Sequence, residues 1–351
     1  TAYPVAQRML DYDALDLRRF QAGSFVQLES GTVLLGDPLR RPVDLIETAR
    51  APIGSPLDKA RLLLWRRKVL EGSVDQVWKR GEVTTLARLS DLSFSESFIE
   101  SFLRPLFAGI TLDPQLDVTS RFTEFVFRML AEGYGAVPAG GMGEIPTQLA
   151  LRLPDDSIRL YSDVVDVGEH HVEIRGGERI ESDAVIVATD MDAAAELVGT
   201  PQLGWNRVTT RWYSADSAPF SEPLLLLNGT GSGPVNNVAV MSSVSPHYAP
   251  ADRELIAVST PGAQGGGTDA AITAQLRWWF GASVDSWELL RVDEIEHAQP
   301  RYLPGEALPA PVKLESGVFV AGDHRQNPSI NGALQSGRRA ARSVLESFES
   351  P

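Results

Sequence analysis

Gly317-Val318-Phe319-Val320-Ala321-Gly322-Asp323, followed by Asn331-Gly332-Ala333, is the stretch whose reading decides the fold. The apolar run reads as a parallel strand that stops at Gly-Asp. It then passes through a short loop into a helix ending near Phe348, an arrangement that delivers a nucleotide to a helix N-terminus. Gly322 lets the backbone approach a bulky ligand, and Asp323 at the strand's carboxyl end can accept hydrogen bonds from sugar-type hydroxyls. The N–H groups around Gly332 and Ala333 are expected to face anionic oxygens with the helix dipole behind them. Leu334, Gly337, Ala340, Ala341, Val344, Leu345 and Phe348 read as one helix face, whose small residues permit close packing against a sheet.

Two upstream segments have related texture. Val137-Pro138-Ala139-Gly140-Gly141-Met142-Gly143 leads into a predicted helix with Met142, Ile145, Leu149 and Leu153 on one face, and Pro146 is tolerable in its first turn. Asp183-Ala184-Val185-Ile186-Val187-Ala188-Thr189-Asp190 reads as a parallel strand buried on both faces, with Thr189 or Asp190 capping a helix that ends near Gly199. Short strands at 158–167 and 171–175, turned at Gly168 and Gly176-Gly177, precede that run.

Taken in this order, the three segments at 137–149, 183–190 and 317–341 resemble the flavin-containing amine oxidoreductase superfamily, which includes monoamine oxidases, protoporphyrinogen oxidases and phytoene desaturases. The resemblance implies an α/β fold: an FAD-binding, glutathione-reductase-like Rossmann-type domain interrupted by a mixed α+β substrate domain. It implies a substrate domain at 1–134, the middle of the FAD-binding domain at 135–200, a second substrate part with an antiparallel sheet at 201–310, and the last FAD-binding part at 311–351. FAD is the implied cofactor. Its implied contacts are Gly322, Asp323, Asn331, Gly332, Ala333 and Thr189, with a backbone amide and carbonyl near Val164 or Val165 against the adenine. The superfamily opens with a strand, a G-x-G-x-x-G turn and a helix, and no such pattern stands near Thr1-Ala2-Tyr3-Pro4. The expectation is therefore that an amino-terminal dinucleotide-binding segment lies outside this sequence.

Working outward, residues 24–35 break at Glu29-Ser30-Gly31 and read as a hairpin. A helix is expected over 57–70, between Gly54-Ser55-Pro56 and Gly72. Phe94, Phe98, Phe102 and Leu106 recur every four residues until Pro105, which should bend or end that helix. Such a stripe reads first as core. The alternative is that some of Phe94, Phe98, Phe102 and Phe107 line an apolar tunnel or meet a membrane surface. Phe122, Phe125, Val126, Met129 and Leu130 form another stripe closed by Gly133. Residues 206–262 have the short alternations of an antiparallel sheet flooring a pocket, 268–280 reads as a helix, and 262–267 reads as a flexible loop.

The chain has 351 residues, 43% hydrophobic, enough to build real cores. Its formal charge of −14 makes nucleic acid an unfavourable partner, and Arg338-Arg339 and Arg66-Arg67-Lys68 read as solvated helix faces. With no cysteine, disulfides, thiolate metal sites and a cysteinyl flavin link are excluded. The histidines show no metal-ligand spacing, so no metal is expected. No run long enough to span a membrane occurs, which leaves peripheral membrane contact open and suggests a cytoplasmic protein of unstated oligomeric state.

Members that oxidise amines present an aromatic pair across the flavin and a lysine that reaches it through water. Here the loop His324-Arg325-Gln326-Asn327-Pro328-Ser329-Ile330 has no aromatic residue, and no lysine lies between Lys79 and Lys313. These departures favour a desaturase-like or protoporphyrinogen-oxidase-like reaction on a small or lipophilic substrate, with hydride transfer to flavin. Trp212, Tyr213 and His324 are the candidate substrate-pocket residues, with Tyr248 a further aromatic candidate, and no catalytic residue is assigned. A non-catalytic binding protein that keeps the fold is the alternative. A nicotinamide-dependent reductase would need a second dinucleotide fingerprint, and none is visible.

Overall fold

The computed structural model describes residues 1–262 and 266–349, which divide into two compact units. The first comprises Thr1–Ala2, Tyr12–Glu144 and Trp205–Gln299; the second comprises Tyr3–Asp11, Ile145–Gly204 and the chain from Pro300 onward. Half of the loop read at 262–267, residues 263–265, lies outside the described residues.

The first unit is built on a seven-stranded sheet in the order Glu288–Pro300, Trp205–Ala215, Glu254–Pro261, Asn237–Val240, Leu225–Asn228, Gly23–Leu28 and Gly31–Gly36. The hairpin expected at 24–35 is present, with Phe25 opposite Leu34. It joins the later strands through a parallel contact that sets Leu226 opposite Phe25. Because side chains alternate along a strand, the two faces feed separate cores. Val26, Leu35 and Leu227 pack under helices on one side, while Leu226, Val238, Ile256, Val258 and Tyr213 pack on the other against Ile272 and Leu276 of helix Asp269–Phe280.

The helical side is aromatic. Trp65, from helix Pro56–Leu70, stacks on Phe127 at 4.4 Å between ring centroids and meets the edge of Phe107 at 5.8 Å. Phe94, Phe98, Phe102 and Phe107 are all buried in this core. The tunnel or membrane reading of that stripe is therefore replaced by a packing role. Pro105 does not end its helix either. The chain runs helically from Glu96 to Thr111, and a π-helical turn over Ile99–Leu103 widens the backbone just where the proline lacks an N–H.

Helix Pro56–Leu70 begins with a reciprocal cap between Ser55 and Asp58. The Asp58 carboxylate is fully buried and accepts from the backbone N–H and hydroxyl of Ser55 and from the same two groups of Ser95. Burial alone would raise its pKa, but these four donors outweigh burial and hold the carboxyl at about 2.

The second unit contains a three-stranded antiparallel meander, Val164–Gly168, His171–Ile174 and Glu178–Glu181, and a two-stranded parallel pair, Ile186–Val187 with Phe319–Val320. Val185, Val187, Val318, Val320 and Ala194 are buried, and a small apolar cluster joins Val187, Ala194, Val318 and Val320. The run at 183–190 is buried on one face only, since Ile186 is 41% exposed. Its hydrophobic continuity hides an ordinary alternation. Helix Glu144–Ala150 half-buries Ile145 and Leu149 of its expected apolar face and leaves Met142 and Leu153 exposed outside it. Helix Ile330–Glu349 buries Asn331, Gly332, Ser336 and Ala340, while Leu345 and Phe348, expected on its packed face, point outward.

Asp58→Asn places an amide where donors converge, leaving some of them unsatisfied, and should cost about 2–3 kcal/mol at neutral pH. Because the folded pKa lies below the unfolded one, the wild-type advantage should be full above about pH 4 and vanish as pH falls through about 2. Thermal unfolding of both proteins across that range measures it.

Candidate cofactor-binding site

The parallel pair fixes the geometry of the second unit's strand ends. The Phe319 N–H donates to Val185 O at 3.0 Å and the Ala321 N–H to Val187 O at 2.8 Å. Two residues beyond the opposed Val320 and Val187 stand Gly322 and Thr189. These two expected contact residues, 133 positions apart in sequence, are thus brought to neighbouring strand ends.

Gly322 has φ +157, and its N–H donates to Ser336 Oγ, a buried hydroxyl on the last helix, at 3.1 Å. A Cβ at Gly322 would fall 2.3 Å from His324 Cε1, so glycine is required by contact with the imidazole. Asp323 is half-buried and accepts the His324 N–H at 2.8 Å. Burial raises its carboxyl to about 6, only partly offset by the hydrogen bond from His324. The carboxyl therefore has capacity for donors supplied by a ligand.

His324 is the most informative residue of the loop. It is 3% exposed, and neither ring nitrogen has a hydrogen-bond partner. Burial, with the positive charge of Arg325 as a lesser cause, lowers its pKa to about 4, so the ring is neutral at pH 7. A buried imidazole without partners is costly, and a polar ligand seated beside the loop would remove that cost. The residues present therefore fit a cofactor that offers hydroxyls and other polar groups to this loop.

The helix start behaves differently from expectation. The Gly332 N–H donates to Ser329 Oγ at 3.0 Å and the Ala333 N–H to Ser329 O at 2.9 Å. Ser329 thus occupies the two donors expected to face anionic oxygens, as side-chain capping of a first turn does. Asn331 is buried, and its Oδ1 accepts the Val5 N–H at 2.9 Å, which ties the helix to the start of the second unit. Gly332 is needed sterically: a Cβ there would meet Asn327 O at 2.0 Å. Thr189 is exposed and Asp190 supplies the cap of helix Met191–Val198. In the meander, Val164 pairs with Ile174 and Asp166 with Glu173, so Val165 sits at a register shift outside the ladder. A backbone group so placed is suited to contact a base edge.

Several side chains hold this loop in ways the sequence reading did not find, and Arg339, read there as part of a solvated helix face, is one of them. The buried Tyr302 hydroxyl donates to His324 O at 2.6 Å, Arg325 donates to Pro311 O at 2.6 Å, and Arg339 donates to Gln326 Oε1 and Ala310 O. Ser329 carried a readable signal, a serine three residues before the helix glycine. Tyr302 carried none, because it reaches the loop from 22 residues upstream.

The first unit holds a cavity of about 420 Å³. Leu62, Leu106, Ile110, Phe127 and Leu130 form an apolar wall from the helices, and Ser24 and Leu225 form its floor on the sheet. Two guanidinium groups line the same space. Arg40 lies 3.9 Å from the Tyr134 ring centroid and donates to Leu130 O. Arg66 donates to Ala131 O, and its buried Nε has no hydrogen-bond partner. Neither Trp212 nor Tyr213 lines this cavity. Trp212 donates to Asp293 at 2.8 Å, and Tyr213 is buried in the core on the opposite face of the sheet, so it is a packing residue. The Tyr248 hydroxyl donates to Pro138 O and steadies the glycine-rich segment at 137–143.

The sequence matches the family model described as flavin containing amine oxidoreductase over residues 2–345. The chain belongs to that family. No curated protein matches the sequence. Among solved structures, an oxidoreductase from Methanosarcina mazei is similar at a TM-score of 0.70 and 15% identity, covering 95% of this chain and 82% of the other. A protein assigned as a protoporphyrinogen oxidase from Exiguobacterium sp. 255-15 aligns at 0.67 and 14%, with 95% and 84% covered. Cyclohexylamine oxidase from Brevibacterium oxydans aligns at 0.67 and 14%, with 99% and 86% covered. At these identities the likeness establishes the fold, a mixed α/β architecture shared with flavin oxidoreductases. Family membership makes the chain a flavin-dependent oxidoreductase. The non-catalytic alternative gains no support. Among the described residues no cluster of three or more His, Asp or Glu is placed to hold a metal, and no helix is long and apolar enough to cross a membrane.

The Asp323 carboxyl has a direct consequence for the chain without flavin. Its folded pKa is raised to about 6, so the protonated form stabilises the fold and this contribution is lost as pH rises from about 4 through 6. Relative to Asp323→Asn, wild type should lose up to about 3 kcal/mol across that window. Urea unfolding at about pH 4, 5, 6 and 7 measures the difference.

Proposed function

We infer that the flavin is FAD and that the chain uses it to oxidise or desaturate a small or lipophilic organic molecule. The observation that carries this reading is the partnerless, buried His324 ring beside Gly322 and Asp323 at the end of the parallel pair. When bound, FAD supplies a two-electron acceptor for a hydride equivalent. The chain's own residues supply binding and electrostatics. Asp323 would accept hydrogen bonds from cofactor hydroxyls, and those donors would pull its pKa back down. His324, neutral at pH 7, would donate from one ring nitrogen and accept at the other. Tyr302 and Arg339 hold the loop in place by bonding His324 O and the Gln326 side chain from outside, and the loop's own Arg325 reaches out to Pro311 O. Thr189 and the backbone at Val164 and Val165 complete the proposed contacts, with Asn331, Gly332 and Ala333 shaping the helix start behind Ser329.

The second unit is thus the proposed FAD-binding part and the first unit the substrate-binding part. The cavity of the first unit suits an apolar body, and the Arg40 and Arg66 guanidiniums suit an oxygen-bearing end. The absence of a lysine between Lys79 and Lys313 and of aromatic residues in the 324–330 loop supports desaturation over amine oxidation. The reading includes a cytoplasmic enzyme whose contact with membranes is peripheral.

Asp323→Ala should weaken flavin retention by about ten- to a hundredfold, the worth of one or two hydrogen bonds to a carboxylate. Visible absorbance of the purified protein reports it, and unchanged occupancy would remove Asp323 from the site. Ile110→Trp, which fills part of the cavity, should leave flavin absorbance intact and raise KM for a lipophilic substrate; steady-state turnover measures that effect.

A further inference from the structure

Residues 37–68 of the first unit expose a concentration of large apolar side chains. Leu39, Val43, Leu45, Ile46, Leu57 and Leu64 all stand more than half in solvent, with Val43 at 81%. Leu57 and Leu64 are two helical turns apart and share the outward side of helix Pro56–Leu70, while Trp65 and Val69 of the same helix are buried. The helix is therefore apolar on two faces, only one of which has a partner in the core.

The segments that carry these residues are tied together. Lys59 Nζ donates to the carbonyls of Thr48, Ala49 and Ala51, tying the end of helix Leu45–Arg50 to the longer helix. Arg66 Nε approaches Asp37 Oδ2 at 4.0 Å and draws in the start of the segment. The surface is also basic. Residues 37–68 carry eight Lys or Arg against four Asp or Glu, a local charge of +4 in a chain whose total is −14, so the remainder carries −18. Two of the four acids, Asp44 and Asp58, are buried in internal bonds, whereas Arg50, Arg67 and Lys68 are exposed.

We propose that residues 37–68 form a peripheral docking face for an anionic lipid bilayer, through which a lipophilic substrate reaches the cavity of the first unit. Apolar side chains interleaved with basic ones are what an anionic membrane interface selects. A second copy of this chain fits less well, because a twofold contact would set +4 against +4. Screening confines attraction to about 8 Å at physiological salt, so the local +4 governs the encounter despite the acidic remainder. The cavity meets this face: Leu63 is 48% exposed and also lines the cavity, as do Pro38 and Arg40. The delivery role rests on the reading of that cavity as the substrate chamber, whereas the docking face stands by itself.

Sedimentation of the whole chain with vesicles tests the face without using flavin or turnover, so its outcome is separate from that of Asp323→Ala. The chain should pellet with phosphatidylcholine–phosphatidylglycerol vesicles and at least tenfold less with phosphatidylcholine alone or at high salt. The double variants Val43→Asp/Ile46→Asp and Arg67→Glu/Lys68→Glu should each lose binding at least tenfold, with circular dichroism and thermal unfolding unchanged, since all four side chains are exposed. A wild-type chain that stays in the supernatant with anionic vesicles overturns the proposal, as does equal pelleting of both variants. Loss of a dimer in analytical ultracentrifugation by these variants, with no vesicle binding by wild type, would assign the face to a second copy instead and overturn it as well.

Discussion

The parallel contact between Ile186–Val187 and Phe319–Val320 is the constraint on which the second unit depends. Only two residue pairs are opposed, and the backbone bonds from Phe319 and Ala321 extend the contact by one residue at each end. So short a pairing gains little by itself. It is held by the apolar cluster of Val187, Ala194, Val318 and Val320, which joins both strands to the helix that follows the first of them. Because parallel strands end side by side, the pairing also sets Gly322 next to Thr189 and determines where a ligand can meet both.

Two buried aspartates show how the balance of local donors against burial decides the chemistry of a carboxyl. Asp58 is fully buried yet held at about 2, because four donors from Ser55 and Ser95 converge on it. Asp323 is raised to about 6 by burial, which the His324 N–H offsets only in part. The first is a structural carboxylate, spent on joining two helix starts. The second retains acceptor capacity, and the neighbouring His324 retains both ring nitrogens. Polar capacity left unused in a packed loop is what distinguishes a binding site from a structural network.

The first unit divides its apolar surface among three uses. Aromatic residues at helical spacing, Phe94, Phe98, Phe102 and Phe107, fill the core around Trp65. Leu106, Ile110 and Phe127 leave a cavity beside it. Leu57 and Leu64 face solvent from the helix that carries Trp65. All three uses have the same periodicity in sequence, since a helix presents apolar residues to a core, a cavity or a lipid with the same 3.6-residue repeat.

The sequence alone determined the local elements: the hairpin at 24–35, the helix closed by Gly54-Ser55-Pro56 and Gly72, the helix at 268–280, and the strand that stops at Gly322-Asp323. Chain-neighbour chemistry decides these, through alternation, capping and the backbone demands of glycine and proline. It also carried the family resemblance, because motifs are contiguous. Tertiary structure decided what depends on residues far apart. It placed the hairpin in one sheet with strands some 200 residues later, turned Tyr213 into a core residue, and closed the 324–330 loop with Tyr302. Hydrogen-bond satisfaction and burial are properties of the surroundings, and a residue's surroundings come from whichever distant segments the fold brings against it.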